Sequence, residues 1–275
     1  FVLKYEDTAP LIGLQQDAIR AISDLTHSDV KMSRVDAMTV LQDCPHITEL
    51  DKPVYTGREI FSMVLPEIYY ERKSEMFKEV LTAKLGNYDE KDYVISIRKG
   101  ELISGIVCGN AVKSKPGSIY HKIICKYGVS CAFDAQYYHQ QIGLRYTQLR
   151  GATIVFQDFR LTKESRMAIA AIKKAASDEL AQMHADVMNG KIQAPKDKTL
   201  PEYVEELTDQ ILDINKRYFG PIAASLNPSE NSLFAMVNSG AKGKQSNIVN
   251  IFANQGRVKI DNKHIKPTQD YQRHD

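Results

Sequence analysis

Tryptophan is absent from the 275 residues, which removes one common core and interface anchor without excluding a folded protein. Cysteine is scarce: Cys44, Cys108, Cys125 and Cys131 include no Cys-x-x-Cys pair. A chain this long has no need of disulfide staples, so the four read as buried or partly buried thiols in a reducing compartment. The histidines fall into no metal-ligand spacing. His121, Cys125 and Cys131 could converge on zinc in some fold, but a strand residue and two core thiols account for them better, and no metal site is expected. No apolar run is long enough to span a bilayer and no signal-peptide pattern opens the chain, so no membrane contact is expected. A formal net charge of +2 gives no general case for nucleic-acid binding; any such contact must come from a local patch. Paired catalytic carboxylates and Asp-x-Asp clusters are missing too, leaving Asp7, Asp17 and Asp158 as isolated acids and no catalytic residue to assign. There is no initiating Met. Phe1-Val2-Leu3 reads like the middle of a strand and Gln269 to Asp275 is polar, so both ends look like cuts through a longer polypeptide.

What is present divides into three stretches. In the first, Leu14, Ala18, Ala21, Ile22 and Leu25 share one helical face. Ser28 or Ser33 can cap a short helix containing Met38, Val40 and Leu41. Ile60 to Leu65 is an apolar segment stopped by Pro66. Tyr93 to Ile97 and Leu102 to Cys108 read as strands turned at Lys99-Gly100-Glu101, with Gly105 marking a bulge or a close backbone approach. Ser114 to Ser118 is a loop, residues 119–126 are a strand or a short helix, and Phe133 to Leu149 is helical. Ala152 to Phe156 reads as a short hydrophobic strand that delivers Gln157 and Asp158 to its end, where Asp158 could orient backbone or a basic partner.

In the second stretch Thr162 can cap a long helix with a stripe of Ile169, Ile172, Ala176, Leu180, Met183 and Val187. Gly190 ends it, and Lys191 to Lys198 form a basic tip. A second helix from Leu200 to Phe219 carries Leu200, Val204, Leu207, Ile211, Ile214 and Tyr218 on one face, closed by Gly220-Pro221. Two amphipathic helices so joined make an antiparallel hairpin, and its charged outer faces predict that it projects from a body.

The third stretch holds Ser239-Gly240-Ala241-Lys242-Gly243-Lys244. It fails the nucleotide-triphosphatase loop pattern, with Asn at 238 and Gln at 245, yet small residues let backbone approach a ligand while the lysines supply charge. From 241 to 270 there are six basic residues against two acidic, consistent with contact to a polyanion or a triphosphate.

Asn231 to Gly256, NSLFAMVNSGAKGKQSNIVNIFANQG, resembles the segment before the bridge helix in the largest subunits of multisubunit DNA-directed RNA polymerases of cells and viruses. The resemblance is colinear. Gly13 to Asp17 is similar to the Gly-x-x-Gln-Asp segment that follows the catalytic aspartate loop, and Pro53 to Ser62 to a Trp-Thr-Gly-Lys-Gln-x-Phe-Ser segment. Lys99 to Gly105 is similar to the family's Gly-Glu-Leu-x-x-Gly hairpin, and Gly151 to Asp158 to its Gly-Phe-x-x-Gly-x-x-Asp run. The resemblance implies an α+β fold: a small mixed-sheet pore region over 1–160, a projecting funnel-helix hairpin over 161–220, and a nucleotide-access segment over 221–275. It puts Lys242 near the incoming triphosphate, with Gly243, Lys244 and Asn247 close by. Gln16, Asp17, Gly57, Gly105, Gly151, Asp158, Ser239 and Gly240 are signature positions of structure.

The implied partners are the second-largest and other polymerase subunits, DNA, RNA, nucleoside triphosphates, and a transcript-cleavage factor on the funnel helices. Magnesium is expected outside these residues, because the Asn-Ala-Asp-Phe-Asp-Gly-Asp element that binds it in the family does not occur here. The chain alone is therefore expected to be inactive. Departures include Lys244 for the family's Ser, Asn250 for Gln, Arg257-Val258 for Gln-Gln, Ala152 for Phe and Val155 for Gly. They favour an enzyme of the large cytoplasmic DNA virus type, in host cytoplasm or virion, over a nuclear one. The alternative from another class is a non-catalytic interaction module built on a coiled-coil hairpin, which leaves the basic 239–248 element unexplained.

Overall fold

The computed structural model describes residues 3–4, 10–74, 90–212, 215–227, 230–254, 259–260 and 263–264. Asp7, Ile214, Arg257, Lys266 and the polar run from Gln269 lie outside the described residues. Small antiparallel sheets and many helices give a mixed α+β fold. The chain forms two units: Phe1–Arg160 with Leu226–Lys244, and Leu161–Ser225 with Gln245–Asp275.

In the first unit, helix α1 (Gln16–Leu25) buries Ala18, Ala21, Ile22 and Leu25, the face set by its sequence period. Strand β1 (Lys31–Ser33) pairs antiparallel with β2 (Val54–Thr56), Met32 opposite Tyr55. Each of these short strands hands directly into a capped helix. Ser33 Oγ accepts from the Asp36 amide to start α2 (Arg34–Leu41). Thr56 and Glu59 satisfy each other's amides in a capping box that starts α3 (Gly57–Ser62).

The three-stranded sheet runs β3 (Tyr70–Lys73), β4 (Val94–Arg98), β5 (Glu101–Ser104), all antiparallel. The returning strand is shorter than its apolar pattern predicts, because the register shifts at Ser96/Ile97 and Gly105 turns away at φ +92°. Arg58 ties this sheet to α1: its guanidinium donates to buried Asp92 at 2.6 Å and to the Thr26 carbonyl at 3.0 Å.

Helix α4 (Gly109–Val112) precedes α5 (Ile119–Tyr127). Residues 119–126 are thus helical, with Ser118 accepting from the His121 amide as cap. His121 is accordingly a helix residue and not a strand residue; its Nδ1 accepts from the Gly117 amide. The long helix α6 (Val129–Arg150) packs against α1, α2 and α5, and Gly151 ends it at φ +77°. The hydrophobic strand expected at 152–156 does not form. Residues 151–155 belong to no strand, and Phe156–Phe159 is a turn of 3-10 helix.

His139 on α6 is fully buried, its ring stacked on Phe61 at 4.2 Å. Nε2 donates to the Phe61 carbonyl at 3.0 Å, so Nδ1 accepts from Tyr120 Oη at 3.2 Å. Burial depresses its pKa to about 4, while an unfolded histidine titrates near 6.5. The folded state therefore resists a proton that the unfolded state takes up. The stability this group confers is complete above about pH 6.5 and is lost as pH falls toward 4, a loss on the order of 3 kcal/mol. Urea midpoints measured between pH 7 and 4.5 should fall more steeply for the wild-type chain than for His139→Gln.

The thiols divide by environment. Cys44 is buried and pushed up to about 11 by burial and the neighbouring Asp43, and Cys131 is raised by burial. Cys108 is buried and donates to Asn110 Oδ1 at 2.7 Å. Cys125, against the sequence reading, is exposed. Iodoacetamide at pH 8 should modify Cys125 first and reach Cys44 and Cys108 only after unfolding, as read by peptide mass mapping.

In the second unit, Thr162 Oγ1 accepts from the Ser165 amide and caps α7 (Lys163–Met188), whose stripe buries Ile169, Ala176 and Met183. It packs against α8 (Leu200–Leu212), which is half-buried on its apolar face. A further helix, α9 (Asn215–Ala223), contains Pro221. Gly220-Pro221 therefore does not close the second helix. The missing Pro221 amide costs one bond close to the helix end, and the Pro221 carbonyl accepts from Ser165 Oγ at 2.7 Å.

A lysine-lined candidate anion site

Helix α10 (Ser232–Asn238) carries the C-terminal motif of the first unit. Asn231 caps it, its Oδ1 accepting from the Phe234 amide at 2.8 Å while its Nδ2 donates to the Asp158 carbonyl at 2.7 Å. Asp158 is buried, and its carboxylate accepts from the Val155 amide at 2.8 Å and the Ser232 amide at 3.0 Å. Of the two roles open to it from sequence, Asp158 takes the backbone-orienting one. It fastens the 3-10 turn to the start of α10. Arg20 on α1 adds a bond from its guanidinium to the Ser232 carbonyl at 2.8 Å. One motif is thereby fixed to another more than 200 residues away.

Beyond α10 the chain reverses. Ser239 is buried and its carbonyl accepts from the Gly109 amide at 2.8 Å. Gly240 (φ +72°) and Gly243 (φ +86°) supply the left-handed turns. Ala241 plugs into the hydrophobic core and the Lys242 amide returns to the Met236 carbonyl at 3.3 Å. The Lys113 ammonium donates to the Gly240 carbonyl, so α4 and the loop hold each other. With its neighbours anchored, the Lys242 side chain stays exposed.

The loop faces a cleft of about 430 Å³ shared with the segment leading into α1. Gln15 and Gln16 line it from that side, Lys113 and Lys115 from the α4–α5 loop, and Lys242 and Gly243 from the glycine-rich loop. Leu14 holds the first wall through its amide, which donates to the Val112 carbonyl at 2.8 Å. Gln16 stands at φ +42°, a strained backbone for a non-glycine residue and of the kind that collects at binding sites. Among the described residues three lysines and no carboxylate line the cleft, so it presents amides and ammonium groups suited to an anion. The same donor set does not suit magnesium, which takes oxygen ligands.

The sequence-marked residues thus separate. Lys242, Gly243 and Gln16 meet at the cleft; Ser239 and Gly240 build its loop; Asp17 is exposed in the first turn of α1. Lys244 is exposed and closes the first unit, while Asn247 lies on α11 (Gln245–Phe252) of the second. Gly57 and Gly105 serve the helix and sheet junctions away from the cleft, and Gly151 ends α6. Sequence does not mark Lys113 or Lys115 as site residues; Lys115 falls in the loop Ser114 to Ser118 and Lys113 just before it. Their only signal is the Lys-Ser-Lys-Pro-Gly composition.

Residues 2–159 match the family described as RNA polymerase Rpb1, domain 3, and residues 183–274 match RNA polymerase Rpb1, domain 4. The chain belongs to the largest-subunit family of multisubunit RNA polymerases, of which it carries these two domains. It is 29% identical, over 95% of its length, to the "DNA-directed RNA polymerase RPB1 homolog" of African swine fever virus. The match holds both for the Vero-adapted Badajoz strain and for a tick isolate from Malawi. The chain spans about a fifth (19%) of the length of these relatives.

Proposed function

We propose that the chain forms the nucleotide-access pore and funnel of a DNA-directed RNA polymerase, and that its lysine-lined cleft receives the phosphates of nucleoside triphosphates. The observation that carries this reading is the convergence of Gln15 and Gln16, Lys113 and Lys115, and Lys242 on one cleft without a carboxylate. An ammonium group placed there offsets phosphate charge as the triphosphate is positioned and during phosphoryl transfer. Magnesium is held by residues elsewhere in the polypeptide, since the lysines that line the cleft repel a cation. The name of the viral relatives supports the same reading.

Three functional stretches follow: the pore region at 1–160, the hairpin of α7 and the helices to 220, and the nucleotide-access segment at 221–275. These are regions of function and not folding units. The hairpin offers its charged outer faces to a transcript-cleavage factor. Lys244, next in the chain after Gly243, adds positive charge beside the phosphate path. The assembled enzyme brings in the second-largest subunit, other subunits, DNA and RNA. The viral relatives favour a viral enzyme working in host cytoplasm or virion.

The test is removal of the Lys242 charge in the assembled polymerase. Nucleotide use and elongation rate unchanged by that substitution would remove the assigned role.

A further inference from the structure

The stretch Gly151 to Val155 has an unusual combination of properties. Its sequence, with Thr153, Ile154 and Val155 in a row, favours a strand. The backbone is extended where it meets the turn, Val155 standing at φ −120°, ψ 164°. Yet every residue from 151 to 157 is exposed, including Ile154 at 44%, Val155 at 50% and Phe156 at 94%. The amides of Ala152, Thr153 and Ile154 donate to no other described residue.

The segment is held from below. Asp158 fixes the Val155 amide and the start of α10, and the Gly151 amide returns to the Thr147 carbonyl at 2.8 Å. Both ends of the run from Gly151 to Val155 are therefore anchored, while the Ala152, Thr153 and Ile154 amides between them have no described partner and their side chains are exposed. Laid out as a strand, the run places Ala152, Ile154 and Phe156 on one face and Val155 on the other, the pattern of a strand covered on each side of a sheet and not of a solvated edge. Such an edge is a template for strand addition.

We propose that Ala152 to Phe156 is a β-strand completed by pairing with a strand from the same polypeptide outside these 275 residues. The length of the relatives selects this occupant: they are about five times as long as the chain, so most of the subunit that could cover the segment lies outside it. In such a strand the Thr153 and Val155 amides share one edge, where the Asp158 carboxylate already accepts from Val155. The incoming strand consequently pairs along the other edge, through Ala152 and Ile154. This inference rests on family membership and not on the anion reading of the cleft, so either can fail without the other.

The test uses the assembled polymerase. Amide-resolved hydrogen exchange should show Ala152 and Ile154 slowed at least about 100-fold relative to an unstructured peptide, with Thr153 less protected. A photoreactive phenylalanine analogue introduced at Val155 should join to the same polypeptide outside these 275 residues; attachment only within them would overturn the proposal. Exchange of Ala152 and Ile154 at unstructured rates would overturn the proposal. So would attachment of the analogue only to a different subunit or to a second copy of this one.

Discussion

Replacing Lys242 by alanine in the assembled polymerase should raise KM for nucleoside triphosphates by about 5- to 30-fold, equivalent to about 1–2 kcal/mol for one charge-assisted contact. The lysine stands on a loop whose other members are already committed. Ser239 and Gly240 bond to α4 and its following lysine, and Ala241 is in the core, so the substitution should leave the fold intact. Lys242→Arg should retain much of the affinity, since it keeps charge and reach. The defect should shrink as salt is raised, because an exposed ammonium is increasingly screened. Substituting Lys113 differs in kind. Its ammonium binds the Gly240 carbonyl, so Lys113→Met should disturb loop position as well as charge. An elongation defect that charge-preserving arginine at 242 fails to rescue would argue against an electrostatic role.

The largest effect on stability should come from Gly57→Ala. A Cβ at Gly57 would lie 1.8 Å from the Leu25 carbonyl oxygen, and both partners are backbone. Neither can rotate away. Relief requires α3 to move from α1, which breaks the bond from the Gly57 amide to the Val30 carbonyl and uncovers Ile60 and Phe61. The expected loss exceeds about 4 kcal/mol, a large share of the roughly 5–15 kcal/mol that holds an ordinary domain together. Gly220→Ala is the matched control, since beyond its own helix and chain neighbours no atom of the described residues lies within 4 Å of its Cβ position and its φ is ordinary. It should shift the urea midpoint little. Gly105→Ala should resemble Gly57→Ala, with a Cβ 2.4 Å from Ile95 Cα added to a φ of +92°.

These cases show what local sequence carries. Gly105 was legible because a glycine inside a strand pattern has few reasons to be there, and close approach to Ile95 is one of them. The α1 and α7 stripes were legible because their period is set by the helix itself. Residues 119–126 were ambiguous by composition, and the decision came from Ser118, whose hydroxyl caps a helix. The run at 152–156 misled for a different reason. Side-chain chemistry favours a strand, but pairing needs a neighbour, and none of the described residues provides one. Pro221 was read as a stop although a helix accommodates it near its end.

At the site, Lys242 was visible through its glycine-rich setting. Lys113 and Lys115 were not, because their place at the cleft depends on α4 bonding to a loop some 130 residues later. Asp158 was marked as an orienting acid, but the Val155 and Ser232 amides that it orients could only be found in three dimensions.

The most direct measurement of the central claim is a photocrosslink from the γ-phosphate of a nucleoside triphosphate analogue bound to the assembled polymerase, mapped by mass spectrometry. The account predicts attachment within residues 11–16, 113–115 or 241–243, competed by unmodified nucleotide and reduced in Lys242→Ala. Competed labelling that falls wholly outside these three stretches would contradict it.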